Sequence, residues 1–268
     1  MKRFILLVLG ALIATAGWSA VVTDEIPGLP GSLSEDGGFL SLPSINTNSE
    51  MAMLLMKALK SAPKEARVRD AERVLALDPA DRTAQQTLAR LYLSDNRLDE
   101  AAALLWKAAR ANPADLNSLE EFGFALLASG GHQGGYTIYQ ELYRVGHRTP
   151  AVLFNLAAAQ HHLGRYAEAQ ALMKDFLATH PDHLRGLYNL GVMAYAVGAQ
   201  EQAAATWKRV VQLQPAQPLA LAALVRQQRE AGQTDLAEQN LQALGKSIGE
   251  PAAKALLESN PLPIYLIR

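Results

Sequence analysis

The chain contains no cysteine among its 268 residues. This absence excludes disulfide bonds, thiol nucleophiles and cysteine-based metal sites. It also excludes the lipid-modified cysteine that a bacterial lipoprotein carries at its cleavage site. The folded part of the chain must therefore be stabilised by packing and hydrogen bonding.

Charge is also scarce. Charged residues make up 19% of the chain, apolar residues make up 49%, and the formal net charge is −1. Such a composition is typical of a packed chain rather than a disordered one. Nucleic-acid-binding proteins normally carry a clear basic excess. We therefore expect no nucleic-acid partner.

Sequence motifs of catalysis are missing as well. The patterns H-E-x-x-H, G-x-S-x-G, G-x-G-x-x-G and the Walker loop do not occur. His161 and His162 are adjacent, so on a helix their side chains point about 100° apart and are poorly placed to hold one metal ion together. These observations predict a protein that is not an enzyme and that has no cofactor and no metal site.

The chain does contain a regular proline grid. Pro79, Pro113, Pro181 and Pro215 are separated by 34, 68 and 34 residues. A fixed period of this size is typical of stacked repeats rather than of one closed core. Placing each proline at position 32 of a unit gives a partial repeat at 50–81 and full repeats at 82–115, 116–149, 150–183, 184–217 and 218–251.

Each unit has the pattern of two helices. Apolar residues at positions 4, 7, 8 and 11 form one helical stripe, and those at 20, 24 and 27 form another. Small residues at positions 8 and 20, such as Gly191 and Ala203, let the two helices approach closely. Gly164 and Gly198 at position 15 favour a turn, because glycine adopts the left-handed conformation that often ends a helix. The proline at position 32 ends the second helix.

Three sequence segments closely match one repeat signature: NLA at 155–157, LGRYAEA at 163–169 and YNLG at 188–191. The chain therefore resembles the tetratricopeptide repeat (TPR) family over residues 50–251, and in particular its exported bacterial members. The resemblance implies an all-α fold, a TPR-type α-solenoid in which antiparallel helix pairs form a right-handed superhelix.

Two regions depart from the pattern. The second repeat has glycines at 130, 131, 134 and 135 and His147 where proline is expected, which predicts a looser turn or a shortened second helix. The last region, 252–268, is expected to form a capping helix over 252–259 and an apolar tail whose segment Ile264–Ile267 lies against the last repeat.

The first twenty residues have the pattern of a leader. Lys2 and Arg3 precede an apolar run from Phe4 to Ala16, and small residues follow, as in a secretory signal peptide. The alternative is an uncleaved membrane anchor, because residues 4–22 carry no charge over nearly the length of a membrane-spanning helix. Both alternatives place the repeats outside the cytoplasm, which predicts a periplasmic or extracytoplasmic location.

Residues 21–49 separate this leader from the repeats. They are rich in proline, glycine and serine, and their charged residues are all acidic. A segment of this composition buries too little apolar surface to fold. We therefore expect a flexible linker there.

In TPR proteins, the helix face opposite the buried stripe lines a concave groove that holds partners. The same face here is rich in aromatic residues and arginine, the types enriched at interface hot spots. As in the family, Asn155 and Asn189 at position 6 are placed to hydrogen-bond the backbone of an extended or helical segment. The groove residues predicted in this way are Arg90, Phe124, Phe154, Asn155, Arg185, Tyr188, Asn189, Tyr195, Arg226 and Arg229.

Two alternatives stay open for these side chains. Some of the aromatic residues could fold inward between helices, or could pack under the C-terminal tail. Position 9 lacks the asparagine with which some TPR domains grip a C-terminal carboxylate, so a partly apolar peptide or helix fits the groove better than such a terminus.

These patterns favour a non-catalytic scaffold that is exported across the inner membrane. We expect it to bind a peptide or helix of a partner protein during envelope assembly, secretion or pilus biogenesis. Contact with a membrane is expected only through residues 4–22, if they stay uncleaved. The alternatives are an accessory subunit of an envelope enzyme complex, and a self-assembling module in which one copy's tail fills the groove of the next, so homo-oligomerisation is left open.

Overall fold

All the regular structure in the described part of the chain is α-helix. A computed structural model describes residues 63–258 and 262–268, and the expected leader, linker and first residues of the partial repeat lie outside them. The helices are α1 (Lys64–Leu77), α2 (Arg82–Ser94), α3 (Leu98–Ala111), α4 (Leu116–Ala128), α5 (His132–Arg144), α6 (Pro150–His162), α7 (Tyr166–Thr179), α8 (Leu184–Ala196), α9 (Gln200–Leu213), α10 (Pro218–Glu230), α11 (Thr234–Ile248) and α12 (Glu250–Glu258). The predicted all-α, TPR-type solenoid fold is confirmed.

The first helix of every full repeat begins on the 34-residue grid, at residues 82, 116, 150, 184 and 218. The residue before each of these helices caps it: its side chain accepts a hydrogen bond from the backbone N–H three residues later. These caps are Asp81, Asp115, Thr149, His183 and Gln217. Such a bond satisfies a backbone donor that the helix itself leaves unpaired. The period therefore fixes the place of the cap, whereas its chemistry varies.

The predicted turns inside and between the repeats are confirmed. Gly164, Gly198 and Gly232 at position 15 have φ of 75°, 79° and 68°. The second helices of three full repeats end at Asn112, His180 and Gln214, directly before the grid prolines, with φ between −140° and −134°. The ring of a following proline disfavours the helical conformation at such a residue.

The second repeat departs from the pattern less than expected. Gly130 has φ of 87° and forms the same left-handed turn as the glycines of other repeats, so the prediction of a looser turn is wrong. Helix α5 has 13 residues, against 14 in α7, and is thus shorter by only one residue. Gly146, with φ of 88°, follows α5 where the grid has no proline.

The chain divides after Ala125 into two compact units. In the first, α1 packs against α2 and α2 packs against α3. Its core includes Leu88, Ala89 and Leu105, all of which are buried. Trp106 and Phe122 add an aromatic contact, with ring centroids 5.6 Å apart.

In the second unit, helices α8 and α9 approach each other closely at Gly191 and Trp207. Trp207 of α9 is fully buried, and its indole Nε1 donates to the backbone carbonyl of Tyr188 at 3.2 Å. A Cβ atom at Gly191 would lie only 2.3 Å from that Nε1. The small residue at position 8 thus makes room for the tryptophan ring.

The C-terminal region differs from expectation in the start of its helix and in the position of its tail. Helix α12 begins at Glu250, two residues earlier than expected, directly after Gly249 with φ of 83°. It packs against α10 and α11. The tail, defined here as residues 262–268, does not lie against the last repeat alone. It crosses the helices of the third and fourth repeats, where Asn155 and Asn189 hold it.

Within the described residues, no helix is both long enough and apolar enough to cross a membrane.

Candidate functional site

Two asparagines bind the backbone of the tail in the same way. Asn155 donates to the carbonyl of Ile267 at 2.6 Å and accepts from the N–H of Ile267 at 3.0 Å. Asn189 donates to the carbonyl of Tyr265 at 2.9 Å and accepts from its N–H at 3.0 Å. Each side-chain amide therefore replaces the neighbouring strand that a backbone would pair with in a β-sheet. We call this pair the asparagine ladder.

The spacing of the ladder follows from the repeat. In an extended chain, residues two apart present their N–H and C=O groups to the same side and lie about 7 Å from each other. Tyr265 and Ile267 are two residues apart, and the asparagines that hold them occupy position 6 of successive repeats. One repeat of the groove thus matches two residues of an extended segment.

Both asparagines are fully buried. A buried amide is destabilising unless its donors and acceptor are paired. Asn155 has one further partner, since it also donates to the hydroxyl of Tyr139 at 2.9 Å. The remaining hydrogen bonds described for these two amides are those to the tail, so the ladder depends on an extended segment in the groove.

A pocket for the Tyr265 side chain lies next to the ladder. Gln217, which also caps α10, donates to the Tyr265 hydroxyl at 2.7 Å. The ring of Tyr188 meets the Tyr265 ring edge-on with centroids 5.3 Å apart, and the Arg185 guanidinium lies 5.3 Å from the Tyr265 ring centroid. Aromatic edge contacts and cation–π contacts each add stabilisation beyond burial. Tyr265 is thus the anchor of the tail.

Apolar packing accompanies these polar contacts. Leu262 is buried in the core cluster that contains Tyr188 and Trp207. Ile264 packs against that cluster and against the one around Phe154, where Ile267 also lies. The segment that the groove holds is therefore apolar at most of its positions.

The structure corrects the expectation that the aromatic residues line an open groove. Phe154 is fully buried, edge-on to Phe176 of α7 at 5.2 Å, so it packs between helices. Tyr188 is fully buried and packs under the tail. Both outcomes were the alternatives left open from the sequence.

Three other predicted groove residues of the second unit, Tyr195, Arg226 and Arg229, are not described in contact with the tail. The Tyr195 hydroxyl hydrogen-bonds both carboxylate oxygens of Glu230, at 2.5 and 2.6 Å. Partial burial, and then the bond to Glu230, raise the pKa of Tyr195 to about 12. Arg226 donates to the carbonyl of Leu257 at 3.1 Å, and Arg229 is exposed near the end of α10. The structure therefore unites Asn155, Arg185, Tyr188 and Asn189 around the tail but not these three.

Arg90 and Phe124 belong to the first unit. Arg90 forms an ion pair with Glu121 at 2.7 Å, and Phe124 is half-buried. Neither is among the residues described in contact with the tail.

Sequence reasoning missed Gln217, Tyr139 and Tyr265 as parts of the site. Gln217 stands at position 34 and could have been found as a cap, because every full repeat begins after a polar residue at this position. Nothing in the local sequence places Tyr265 against it, since 48 residues separate them.

The hydroxyl of Tyr188 is buried without a hydrogen-bond partner among the described residues. Burial, and then the nearby Tyr265 phenol, raise the pKa of Tyr188. It therefore stays a neutral phenol with an unused donor directly under the anchor of the tail.

Histidines of α5 and α6 stack against one another. The rings of His132 and His162 are parallel, with centroids 3.9 Å apart, and His161 lies 5.9 Å from His162. Desolvation, and then the two neighbouring imidazoles, lower the pKa of His162 to about 4. Across the described residues, no group of three histidine, aspartate or glutamate side chains is arranged to hold a metal ion.

Helix pairs on a 34-residue grid, capped and turned as described, define a TPR protein. Residues 90–235, more than half of the chain, match the family model described as coatomer epsilon subunit, and the chain belongs to that family. A human curated relative, Superkiller complex protein 3, is 31% identical over 100 residues, which are 37% of this chain and 6% of that protein. The chain thus matches only a small part of that relative's length.

Solved structures share the fold at low identity. YrrB, described as a TPR protein with an unusual peptide-binding site, has a TM-score of 0.52 and 13% identity, covering 69% of this chain and 95% of its own. PilF of Pseudomonas aeruginosa has a TM-score of 0.55 and 20% identity, covering 67% and 82%. A human IFIT1 dimer with PPP-AAAA has a TM-score of 0.55 and 20% identity, covering 70% and 48%. At these identities the likeness concerns the fold.

Proposed function

We propose that this protein is a non-catalytic scaffold whose groove holds an extended segment of a partner protein. The observation that carries the proposal is the asparagine ladder, in which two buried amides make four hydrogen bonds to the backbone of an extended segment. Such bonds do not depend on side-chain identity, so the groove can bind segments other than the tail.

The chemistry of the groove supports binding rather than catalysis. The polar groups described in contact with the tail include the amides of Asn155, Asn189 and Gln217 and the guanidinium of Arg185. Amides and a guanidinium are poor general bases and poor nucleophiles. They are well suited to holding a peptide in a fixed register.

The names of the similar proteins support a role within an assembly. The family model describes a subunit and the curated relative is a complex protein. We infer that the partner is likewise a component of a larger complex, with envelope assembly, secretion or pilus biogenesis as the setting. An accessory subunit of an envelope enzyme complex is a variant of the same proposal.

The extracytoplasmic location rests on the leader pattern of residues 1–20. Alkaline phosphatase fused after residue 49 should be active in bacterial cells, because this reporter folds only outside the cytoplasm. Replacing Leu6 and Leu7 with arginine should abolish that activity. Activity that survives the replacement would contradict export by this leader.

We also propose that nucleic acid is not a ligand, as the near-zero net charge indicates. Because an RNA-bound IFIT1 has the same fold, the fold alone does not decide the matter. Fluorescence anisotropy with a labelled oligoadenylate at two salt concentrations tests the proposal. Saturable, salt-sensitive binding would overturn it.

Panning a random peptide library against the full chain tests the main proposal. The selected peptides should bind the wild-type chain and should lose binding to the Asn155→Ala, Asn189→Ala double variant. The matched control is Gln86→Ala in the first unit, which should not change binding. If the selected peptides bind the double variant as tightly as the wild-type chain, the ladder is not the binding site.

One observation favours a second candidate, self-assembly: the segment found in the groove is this chain's own tail. In a self-assembling module the tail of one copy would enter the groove of another. Sedimentation velocity over a hundredfold concentration range separates the candidates, since only a self-assembling chain would grow in mass with concentration.

A further inference from the structure

The described hydrogen bonds to the backbone of the tail come from side chains of the second unit. The hydrogen bonds described for its backbone go to Asn155 and Asn189, and residues 262–268 are neither helix nor strand. Pro263 and Arg268 are exposed, and residues 264–267 are half-buried. The tail can therefore leave the groove without breaking any helical hydrogen bond.

The asparagine ladder binds only a short stretch of backbone. Asn189 holds Tyr265 and Asn155 holds Ile267, and the equivalent position of the fifth repeat is Ala223, which has no amide to extend the ladder. Side-chain selection is strongest at the first of the two rungs, where Gln217 binds the hydroxyl of the tyrosine. At the second rung the tail offers an aliphatic residue to the cluster around Phe154.

The tail is an incomplete occupant of the site. Its docking leaves the hydroxyl of Tyr188 buried and without a partner. A buried donor without an acceptor is unfavourable. A segment with the same backbone register that also offered an acceptor to this hydroxyl would gain a hydrogen bond that the tail lacks.

We propose that the tail is an internal ligand that competes with the partner, and that the partner's bound segment is an extended peptide with a tyrosine at one position and a branched aliphatic residue two positions later. The proposal rests on the proposed function of the groove. It adds which peptide sequence the groove prefers and how the tail regulates binding. The partner must displace the tail to bind.

A tethered ligand lowers the apparent affinity of its competitor. A short tether gives an effective concentration on the order of millimolar, and a site that is open only a small fraction of the time binds more weakly by that fraction. For a peptide with an intrinsic Kd of about 100 μM, this reduces the apparent affinity by about tenfold.

The experiment uses the full chain and a fluorescein-labelled peptide with the sequence of residues 262–268, measured by fluorescence anisotropy. The wild-type chain should bind it at least tenfold more weakly than the Tyr265→Ala variant, whose tail has lost its anchor. A peptide with alanine in place of its tyrosine should bind that variant at least tenfold more weakly than the native peptide. Adding Asn189→Ala to the variant should abolish binding.

A second variant covers the case in which Tyr265→Ala does not fold. Ile267→Pro removes the N–H that donates to Asn155 and the isoleucine side chain that packs against the cluster around Phe154, so it should release the tail while leaving Tyr265 in place. Circular dichroism checks the helical content of each variant.

Equal affinity of the peptide for wild type and both variants would overturn the competition. No binding to either variant, although panned library peptides bind and depend on Asn189, would overturn the specificity and leave the proposed function standing. If library peptides also fail, the proposed function itself is wrong. A wild-type dimer that dissociates in the Tyr265→Ala variant would show that the tail binds in trans, which also overturns an internal ligand.

Discussion

The two units of this chain follow one grid but satisfy their polar groups differently. In the first unit, Arg90 pairs with Glu121, and Gln86 donates to Ser118 at 2.7 Å. These bonds join α2 to α4 within the unit. In the second unit, position 6 carries Asn155 and Asn189, which bind a segment more than 70 residues away in the chain.

The difference shows that the repeat determines where a side chain lies, whereas the residue type at that position varies from repeat to repeat. At position 6 of the second repeat stands Glu121, whose Oε1 pairs with Arg90 of α2. At the same position of the next two repeats stand amides, which can pair with a backbone. The polar side chains described here therefore pair with other helices of the same unit in the first unit, whereas in the second unit they need a bound segment as partner.

The largest expected effect comes from a glycine that the second unit needs. Position 8 is Ala89 in the first repeat and Gly191 in the fourth, where a Cβ would lie 2.3 Å from Trp207 Nε1. Because the buried ring has no room to move, Gly191→Ala should lower the free energy of unfolding by about 3 kcal/mol. Chemical denaturation monitored by circular dichroism measures the change.

The matched control for that substitution is Gly245→Ala in α11. A Cβ there meets nothing closer than 3.8 Å, so the higher helix propensity of alanine should make the change neutral or stabilising by about 0.5 kcal/mol. If the two substitutions had equal effects, the close approach of α8 and α9 would be wrong.

The second effect concerns the ladder. The Asn155→Ala, Asn189→Ala double variant removes the four backbone hydrogen bonds of the tail, so the amides of Tyr265 and Ile267 should exchange with solvent at least tenfold faster. Hydrogen exchange followed by mass spectrometry measures this. Gln86→Ala in the first unit should leave the exchange of the tail unchanged, and a slow tail in the double variant would refute the ladder.

A smaller effect is expected from acid. All six histidines lie in the second unit, and the pKa of His162 is lowered to about 4 from an ordinary value near 6.5, chiefly by burial. As the pH falls from about 7.5 towards 4, the unfolded chain takes up protons that the folded chain does not. Stability should therefore be highest above pH 7.5 and should decline over this window. His162 is exposed by surface area although its ring stacks on His132, so solvent screening should reduce the decline to a small part of what its full pKa shift would give.

Thermal unfolding at pH 7.5 and 5.5 measures this decline in a range where carboxylates hardly titrate. The His162→Gln variant should lose less stability between the two values than the wild-type chain. A variant that loses as much as wild type would show that the histidine stack is not responsible.

The smallest effect is expected in the first unit. Arg90→Ala breaks an ion pair whose arginine side chain is 59% exposed. Exposed pairs contribute little, so the free energy of unfolding should fall by less than about 1 kcal/mol. A loss of several kcal/mol in chemical denaturation would mean that the first unit depends on its ion pairs as strongly as the second depends on packing.

The helices and turns could be predicted because their signals are local. A proline at position 32 disfavours the helical conformation at the residue before it, and a glycine at position 15 permits the left-handed turn. Asn155 and Asn189 could be identified as backbone-binding residues because the resemblance to TPR proteins implies that role for asparagine at position 6. Their actual ligand could not be identified, since the tail is apolar and has no partner-specific pattern of its own.

The sequence by itself determined the 34-residue period, the ends of the helices and the positions that carry amides, because each depends on residues a few places apart. Only the tertiary structure decided that Phe154 turns inward, that Tyr188 lies under the tail and that Tyr265 meets Gln217. Those outcomes depend on residues as far as 77 positions apart, as Tyr188 and Tyr265 are, which are brought together only by the stacking of the helix pairs.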